Sequence, residues 1–130
     1  MNRIIILLLI FIFSCELLNS PKINIISESD FIELQDLDYT LIDVRTQDEF
    51  DLGHIDSAIN LDFYSDTFQN DILSIPKNEK IILYCRTNNR STKTANILKE
   101  NGFKEISVLE GGITEWVKKG NNINYTTYSD

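Results

Sequence analysis

The stretch that decides the fold runs from Lys80 to Ser91 and reads KIILYCRTNNRS. Its first half contains IILY, which is apolar enough to be buried on both faces and is typical of an inner strand of a parallel sheet. Its second half, CRTNNRS, is a polar loop leading into a polar-faced helix predicted over residues 90–101, with Gly102 as its stop. A strand, a loop and a helix in this order place the loop at the carboxyl edge of a sheet, where open α/β sheets bind ligands.

Short apolar runs alternate with amphipathic stretches on both sides of this segment. Besides Lys80–Tyr84, strands are predicted at Ile23–Ile26, Leu41–Val44, Ala58–Leu61 and Glu105–Leu109. Strands separated by helices need crossover connections, which make neighbouring strands parallel. The fold class we expect is therefore α/β, with a mainly parallel central sheet of about five strands and helices on both faces.

Polar residues mark where the intervening helices begin. Two pairs have the capping-box spacing of a helix N-terminus: Ser27 with Asp30, and Thr46 with Glu49. Further helices are predicted over Tyr64–Leu73 and around Trp116. The helix after Ser27 is expected to bury four apolar residues: Phe31, Ile32, Leu34 and Leu37. The domain is predicted over residues 23–120, followed by a polar tail over 121–130 that is either frayed or a short edge strand.

The first fifteen residues read MNRIIILLLIFIFSC. Arg3 is followed by an unbroken apolar run, Ile4–Phe13, which at about 15 Å is too short to cross a bilayer. A basic start, a short apolar stretch and a small residue are typical of an export signal. Residues 1–14 are therefore predicted to be a signal peptide.

The segment IFSC, which ends at Cys15, resembles the lipobox of bacterial lipoproteins. This resemblance implies a lipidated Cys15, a tether over residues 15–22, and a domain anchored to a membrane of the bacterial cell envelope, facing the periplasm or the exterior. Anionic headgroups would repel a chain of net charge −8, so lipid rather than charge would hold the domain there. Plain secretion and an uncleaved anchor stay open.

Composition restricts the classes of function. A length of 130 residues suits one domain. Twelve basic residues against 20 acidic ones argue against a nucleic-acid partner, because such a chain gains no counterion-release energy on a phosphate backbone. With one histidine and two cysteines the chain offers no metal-binding pattern, and no cofactor is predicted. The histidine, His54, is interpreted as a turn and packing residue.

Cys85 is the candidate nucleophile, because it follows the strongest strand and begins the loop. Such a loop can point several backbone N–H groups into one concavity, and the helix N-terminus adds partial positive charge. These groups, together with Arg86 and Arg90, favour the thiolate, which is the reactive form of cysteine. A buried, inert thiol is the alternative interpretation.

The remaining loop residues are candidate binding residues. Thr87 and Ser91 are interpreted as turn and cap residues whose hydroxyls can also donate to a bound oxyanion. Asn88 and Asn89 occupy positions where a tight loop often needs left-handed backbone, which asparagine tolerates better than most residues.

Two blocks of the chain resemble the rhodanese domain, the sulfurtransferase family. The first is Leu41–Asp62, LIDVRTQDEFDLGHIDSAINLD, and the second is CRTNNRS with GGITEWVKKG behind it. The resemblance extends from about Ile23 to Gly120. Three residues depart from the family pattern: Asp56 and Ser57 stand where proline and glycine are usual, and Asn88 stands where glycine is common.

The resemblance implies a persulfide mechanism. The Cys85 thiolate would take the outer sulfur of a small donor anion such as thiosulfate and pass it to a thiol or a cyanide-like acceptor, with Arg86, Arg90 and the loop N–H groups binding the anion. Asp43, Arg45 and Glu49 match the family's first block; we interpret them as mutually paired scaffold residues, with support of the loop as the alternative. Outside the cytosol, a thiol-reducing protein is a further candidate partner.

Two alternative functions are a cysteine-loop phosphatase and a binding module. A cysteine-loop phosphatase needs five residues between its cysteine and its arginine, whereas four separate Cys85 from Arg90. The shorter loop suits a sulfur atom better than a phosphoryl group. A lipid-anchored module that binds sulfur species or a protein, with little turnover, stays open.

Overall fold

The apolar run IILY forms the central strand of a five-stranded sheet. The computed structural model describes residues 21–127. Its strands are β1 (Lys22–Ile26), β2 (Thr40–Asp43), β3 (Ile59–Asn60), β4 (Lys80–Tyr84) and β5 (Glu105–Leu109). They lie in the order β1-β5-β4-β2-β3, and every pairing within the sheet is parallel. β4 is third of the five, and its last four residues, Ile81–Tyr84, are buried, as expected for a predominantly apolar inner strand.

Helices cover both faces of this sheet. They are α1 (Glu28–Leu34), α2 (Gln47–Asp51), α3 (Phe68–Leu73), α4 (Asn89–Glu100) and α5 (Gly112–Lys118). One apolar cluster takes side chains from α3 and α4: Phe68, Ile72, Ala95 and Leu98. The other takes side chains from α1 and α5: Phe31, Ile113 and Trp116. The predicted α/β class, with a parallel sheet of five strands and helices on both faces, is confirmed.

Both predicted capping boxes are present. Ser27 Oγ accepts a hydrogen bond from the backbone N–H of Asp30, and the Asp30 carboxylate accepts one from the backbone N–H of Ser27. Thr46 and Glu49 make the same reciprocal pair at the start of α2. Each box satisfies donors that a helix N-terminus leaves without a partner, which explains why these short polar motifs locate the helix starts.

The apolar face predicted for the first helix is wrong in part. α1 ends at Leu34, so Leu37 lies beyond it and is exposed. Phe31 is fully buried, but Ile32 is exposed, because adjacent residues on a helix point about 100° apart. The start predicted for the third helix also differs: the Asp62 carboxylate accepts the backbone N–H of Tyr64 in a turn, and α3 begins only at Phe68.

The C-terminal segment is ordered against the domain over residues 121–126 rather than frayed. His54 and Asn124 exchange two backbone hydrogen bonds as an antiparallel bridge. This bridge is a minimal form of the short edge strand predicted as an alternative for the tail. The indole N–H of Trp116 donates to the Asn122 carbonyl at 2.8 Å. The Asn121 amide donates to the Glu28 carboxylate. Backbone and side-chain hydrogen bonds therefore hold this segment, and Ile123 packs against the apolar cluster of α1 and α5.

The predicted signal peptide, residues 1–14, and Cys15 lie outside the described residues. Lys22, placed in the predicted tether, already belongs to β1. Among residues 21–127, no helix is both long and apolar enough to cross a bilayer.

Tyr84→Phe is expected to destabilise the domain by about 1–2 kcal/mol. The buried Tyr84 hydroxyl accepts the backbone N–H of Ile55 at 3.0 Å, so its removal leaves a buried donor without a partner. Urea unfolding measures the change. Tyr39→Phe is the control, because Tyr39 is only half-buried and has no such backbone partner among the described residues. Equal effects of the two substitutions would contradict this account.

Candidate active site

Cys85 lies at the carboxyl end of β4 and is 1% exposed. Its Sγ is 3.4 Å from Ser91 Oγ, which is itself buried in the first turn of α4. Ser91 Oγ also donates to the Asn88 carbonyl at 3.2 Å. The hydroxyl is therefore held by the loop backbone beside the sulfur, and the thiol is free rather than in a disulfide.

In the loop that follows Cys85, the backbone N–H groups are free to bind a ligand, whereas the first two carbonyl groups already accept hydrogen bonds. In the described part of the chain, none of the backbone N–H groups of residues 86–91 donates a hydrogen bond to another protein group. The first carbonyls, in contrast, are occupied: that of Cys85 accepts the N–H of Ile113, and that of Arg86 accepts the N–H and hydroxyl of Thr114. Six consecutive unpaired donors at the N-terminus of a 12-residue helix form a site for negative charge.

Asn88 fastens this loop to the turn after β5. Its side-chain oxygen accepts the N–H of Gly111 at 2.9 Å, and its amide donates to the Leu109 carbonyl at 3.2 Å. The left-handed backbone suggested for Asn88 is wrong, because its φ is −141°. Asn89 also has a negative φ, since Ser57 is the one non-glycine residue with positive φ in the described chain. Asn88 therefore acts through its side-chain hydrogen bonds, and Ser57, at φ 63°, takes the conformation that glycine usually supplies there.

Gly112 is a site residue that the sequence analysis did not single out. At φ 55°, its backbone packs directly under the loop. A Cβ atom there would lie 2.5 Å from the Thr87 carbonyl oxygen, 2.9 Å from the Arg86 carbonyl carbon and closer still to the Cys85 carbonyl oxygen. The doubled glycine before α5 was the available signal, since paired glycines indicate a close backbone approach.

Glu49 does not pair with Asp43 or Arg45, so the interpretation of three mutually paired residues is wrong. Its carboxylate makes a two-pronged ion pair with Arg90, at 2.6 and 2.9 Å. The Arg90 guanidinium holds the pKa of Glu49 at about 2. Glu49 raises the pKa of Arg90, and the charge of Cys85 adds to that rise. Glu49 therefore orients an arginine that lies within electrostatic range of the thiol, as the alternative interpretation expected.

Asp43 and Arg45 form a separate buried pair under the same edge of the sheet. The Arg45 guanidinium donates to both Asp43 oxygens, at 2.6 to 3.0 Å, and to the Gly53 carbonyl at 2.6 Å. Burial works to lower the pKa of Arg45, but the hydrogen bonds and charge of Asp43 outweigh it and raise that pKa. The pair joins the end of β2 to Gly53, two residues after the end of α2, the helix that carries Glu49.

The two loop arginines have different surroundings. Arg90 is half-buried, paired with Glu49, and lies 5.7 Å from the ring centre of Tyr64. Arg86 is exposed and makes no ion pair with the described residues. Arg86 is therefore the cation available to a ligand, whereas the charge of Arg90 is largely balanced. Thr87 and Asn89 are exposed on the same loop.

His54 is a packing residue, as interpreted from the sequence, but its backbone lies in an isolated bridge rather than in a turn. Its ring stacks on Phe50 with centres 3.8 Å apart, and Nδ1 is 2.9 Å from the Phe50 carbonyl oxygen. Its backbone pairs with Asn124. These contacts give His54 a structural role in packing. Among the described residues, no cluster of three histidine, cysteine or carboxylate side chains could hold a metal ion.

Glu49→Gln is expected to reduce the free energy of unfolding at pH 7 by about 1–2 kcal/mol. It should also weaken the dependence of that free energy on pH in the acid range. The pKa of Glu49 is lower folded than its ordinary value of 4.5, so its stabilisation is present above that pH and is lost as the pH falls toward about 2. Chemical unfolding between pH 7 and pH 3 measures this. Glu33→Gln is the control, because Glu33 is an exposed carboxylate on α1. An unchanged pH dependence in Glu49→Gln would contradict the pairing with Arg90.

Similar proteins are found by sequence and by fold. The model of the rhodanese-like domain matches residues 29–119. The tRNA uridine(34) hydroxylase of Escherichia coli O139:H28 (strain E24377A / ETEC) is 33% identical over 92 residues. That match covers 66% of this chain and 26% of the hydroxylase, so the chain spans about a quarter of the length of the curated relatives it matches.

Solved structures agree with the fold. A rhodanese-related protein from Thermoplasma volcanium superposes with a TM-score of 0.70 at 26% identity, covering 79% of this chain and 99% of that one. A rhodanese-like domain protein from Staphylococcus aureus gives a TM-score of 0.65 at 28% identity, covering 80% and 99%. The family match includes β2, the Cys85 loop and Gly112, which are the parts that build the site. The chain therefore belongs to the rhodanese-like domain family.

Proposed function

We propose that this protein is a sulfurtransferase that carries sulfane sulfur as a persulfide on Cys85. The observation that carries the proposal is the position of the Cys85 thiol at the start of a loop whose six N–H groups, from residues 86–91, donate no hydrogen bond to a described residue. A loop of this kind stabilises a negative sulfur without needing a metal or a bound cofactor. The family membership makes a sulfur substrate the natural occupant.

The first half-reaction loads the sulfur. The Cys85 thiolate attacks the outer sulfur of a donor such as thiosulfate, a Cys85 S–S bond forms, and the donor's S–S bond breaks with its electron pair leaving on sulfite. The loop N–H groups hold the negative outer sulfur, and the Ser91 hydroxyl, 3.4 Å from Sγ, can donate to the thiolate only by turning away from the Asn88 carbonyl. The exposed Arg86 attracts the donor anion locally, since about 8 Å of screening length weakens the field of the distant acidic residues.

The second half-reaction unloads it. An acceptor nucleophile such as cyanide attacks the outer sulfur, which leaves as thiocyanate, and Cys85 departs as the thiolate that began the cycle. The charge is balanced in each step, and no oxidant or reductant is consumed. The loop N–H groups stabilise the departing thiolate, and Arg90, whose charge is largely balanced by Glu49, lies within electrostatic range of it.

The test uses a chain that begins at Glu16, because all five strands and both apolar clusters lie within residues 22–123. After incubation with thiosulfate, intact mass should show one added sulfur, peptide mapping should place it on Cys85, and cyanide should release it as thiocyanate. A folded protein that gains no sulfur would overturn the proposal and leave the binding-module alternative. Hydrolysis of an aryl phosphate that depends on Cys85 would instead support a phosphatase.

The tRNA substrate named for the hydroxylases is not carried over to this chain. Their match to this protein spans 26% of their length, and a net charge of −8 gives little attraction to a phosphate backbone. The proposed substrates are a small sulfur donor and a thiol or cyanide-like acceptor.

We also propose that the protein is held at the cell envelope by lipid on Cys15. The support is the sequence IFSC at the end of a short apolar run, since a pair of acyl chains makes membrane anchoring stable. In bacteria fed a labelled fatty acid, the protein should carry the label and Cys15→Ala should not. A label that persists in Cys15→Ala would contradict the anchor.

A further inference from the structure

An open groove lies at the carboxyl edge of the sheet beside the reactive loop, with a volume of about 510 Å³. Its apolar lining includes Leu52, Val117 and Ile123, and Tyr125 lies beside the lining residue Gly53, on the same side as Ile123. Leu52 is 78% exposed, Val117 48% and Tyr125 63%. Three large apolar side chains exposed together are uncommon unless they meet a partner. We call Leu52, Val117, Ile123 and Tyr125 the apolar patch.

The groove is physically continuous with the Cys85 loop. Ile113 and Thr114, which line it, are the residues whose N–H groups bond the Cys85 and Arg86 carbonyls, at 3.0 and 3.1 Å. The Arg86 side chain lines the groove directly. An occupant of the groove therefore lies against the same backbone segment that presents the sulfur.

The charges of the groove leave one cation for a ligand. Arg45 and Glu49 also line it, but Arg45 is paired with Asp43 and Glu49 with Arg90. Arg86 makes no ion pair with the described residues. The groove thus combines an apolar patch with a single unpaired positive charge next to the reactive cysteine.

We propose that the apolar patch and Arg86 form the docking surface for the sulfur acceptor, and that this acceptor is a polypeptide whose cysteine lies between apolar residues and close to a carboxylate. The apolar side chains would cover Leu52 and Val117, and the carboxylate would meet Arg86. This inference rests on the proposed sulfurtransferase function and names the class of its acceptor. An acceptor as small as cyanide would have no use for the patch.

The transfer step follows from this placement. The thiolate of the partner's cysteine attacks the outer sulfur of the Cys85 persulfide, and a new S–S bond forms on the partner. The S–S bond at Cys85 breaks, and its electron pair leaves on the Cys85 thiolate. Binding along the groove holds the two sulfur atoms in register, which lowers the entropic part of the barrier.

The experiment compares the discharge of Cys85 persulfide to two synthetic peptides, acetyl-Leu-Cys-Leu-Glu-amide and acetyl-Ser-Cys-Ser-Lys-amide, with cyanide as a third acceptor. The protein begins at Glu16, and loss of the added sulfur is followed by intact mass. We expect the apolar acidic peptide to discharge the persulfide about fivefold faster than the polar basic one. Leu52→Ser/Val117→Ser should remove the part of this preference that comes from the two leucines, keep the part that comes from Arg86, and leave discharge to cyanide unchanged. Ile32→Ser/Leu37→Ser, which changes two other exposed apolar residues, should keep the preference.

Each contrary outcome has a distinct meaning. If cyanide discharges the persulfide but the peptides show no preference that depends on Leu52 and Val117, the docking surface is wrong and the sulfurtransferase stands. If no persulfide forms, the proposed function itself fails. A dimer in sedimentation that becomes monomeric in Leu52→Ser/Val117→Ser would assign the patch to a second copy of the chain. Sedimentation with phosphatidylcholine vesicles that is lost in that variant would assign it to the membrane, and either result overturns the inference.

Discussion

Cys85→Ser is expected to form no persulfide with thiosulfate and to release thiocyanate at least about a thousandfold more slowly than the unchanged chain. The sulfur has to be carried as an S–S bond, and a serine hydroxyl is a far weaker nucleophile than a thiolate at neutral pH. The replacement is nearly isosteric in a site that is 1% exposed and already contains the Ser91 hydroxyl. The free energy of unfolding should therefore change by no more than about 1 kcal/mol.

The measurements for Cys85→Ser are thiocyanate release, intact mass after thiosulfate, and urea unfolding. Ser91→Ala is the matched control, because it removes the neighbouring hydroxyl and leaves the thiol. That control should still gain one sulfur, more slowly. Transfer by Cys85→Ser above about a hundredth of the original rate would show that another group carries the sulfur.

Gly112→Ala is expected to slow persulfide formation about a hundredfold, since a displacement of about 1 Å at a catalytic loop has effects of this size. The new methyl group would stand 2.5 Å from the Thr87 carbonyl oxygen, which is backbone that cannot rotate away. The loop must then move, and its N–H groups no longer converge on the position of the sulfur. Overpacking and the positive φ of 55° should together destabilise the domain by about 2–4 kcal/mol.

Gly120→Ala separates the effect of displacing the loop from the effect of lower overall stability. Gly120 also has positive φ, 84°, but no atom lies within 4 Å of an added Cβ. This control should lose about 1 kcal/mol of stability and keep its rate of persulfide formation. If Gly112→Ala loaded sulfur at the original rate, the packing of Gly112 under the loop would not matter for function. If Gly120→Ala slowed loading equally, the effect would be one of general stability.

Several elements were predictable because their signals are local. The run IILY predicted the central strand, because four mainly apolar residues in a row have no polar face to turn toward solvent and must be buried on both sides. Ser27 with Asp30 and Thr46 with Glu49 marked two helix starts, because a capping box is complete within four residues of chain. The same reasoning failed where the signal was weak. Leu37 and Ile32 are apolar but lie outside the buried face of α1, and hydrophobicity alone does not report where a helix ends.

The sequence by itself determined the α/β class, the order of strands and helices, and Cys85 with its loop as the candidate site. Those features depend on residues that are neighbours along the chain, where periodicity and caps act. The tertiary structure alone decided that Glu49 pairs with Arg90, 41 residues away, and that Arg86 makes no ion pair with a described residue. It also decided that Gly112 lies under Thr87 and that residues 121–126 join the domain. These contacts arise only when parallel strands bring distant loops to one edge of the sheet, and no local pattern encodes which of several matching partners will meet.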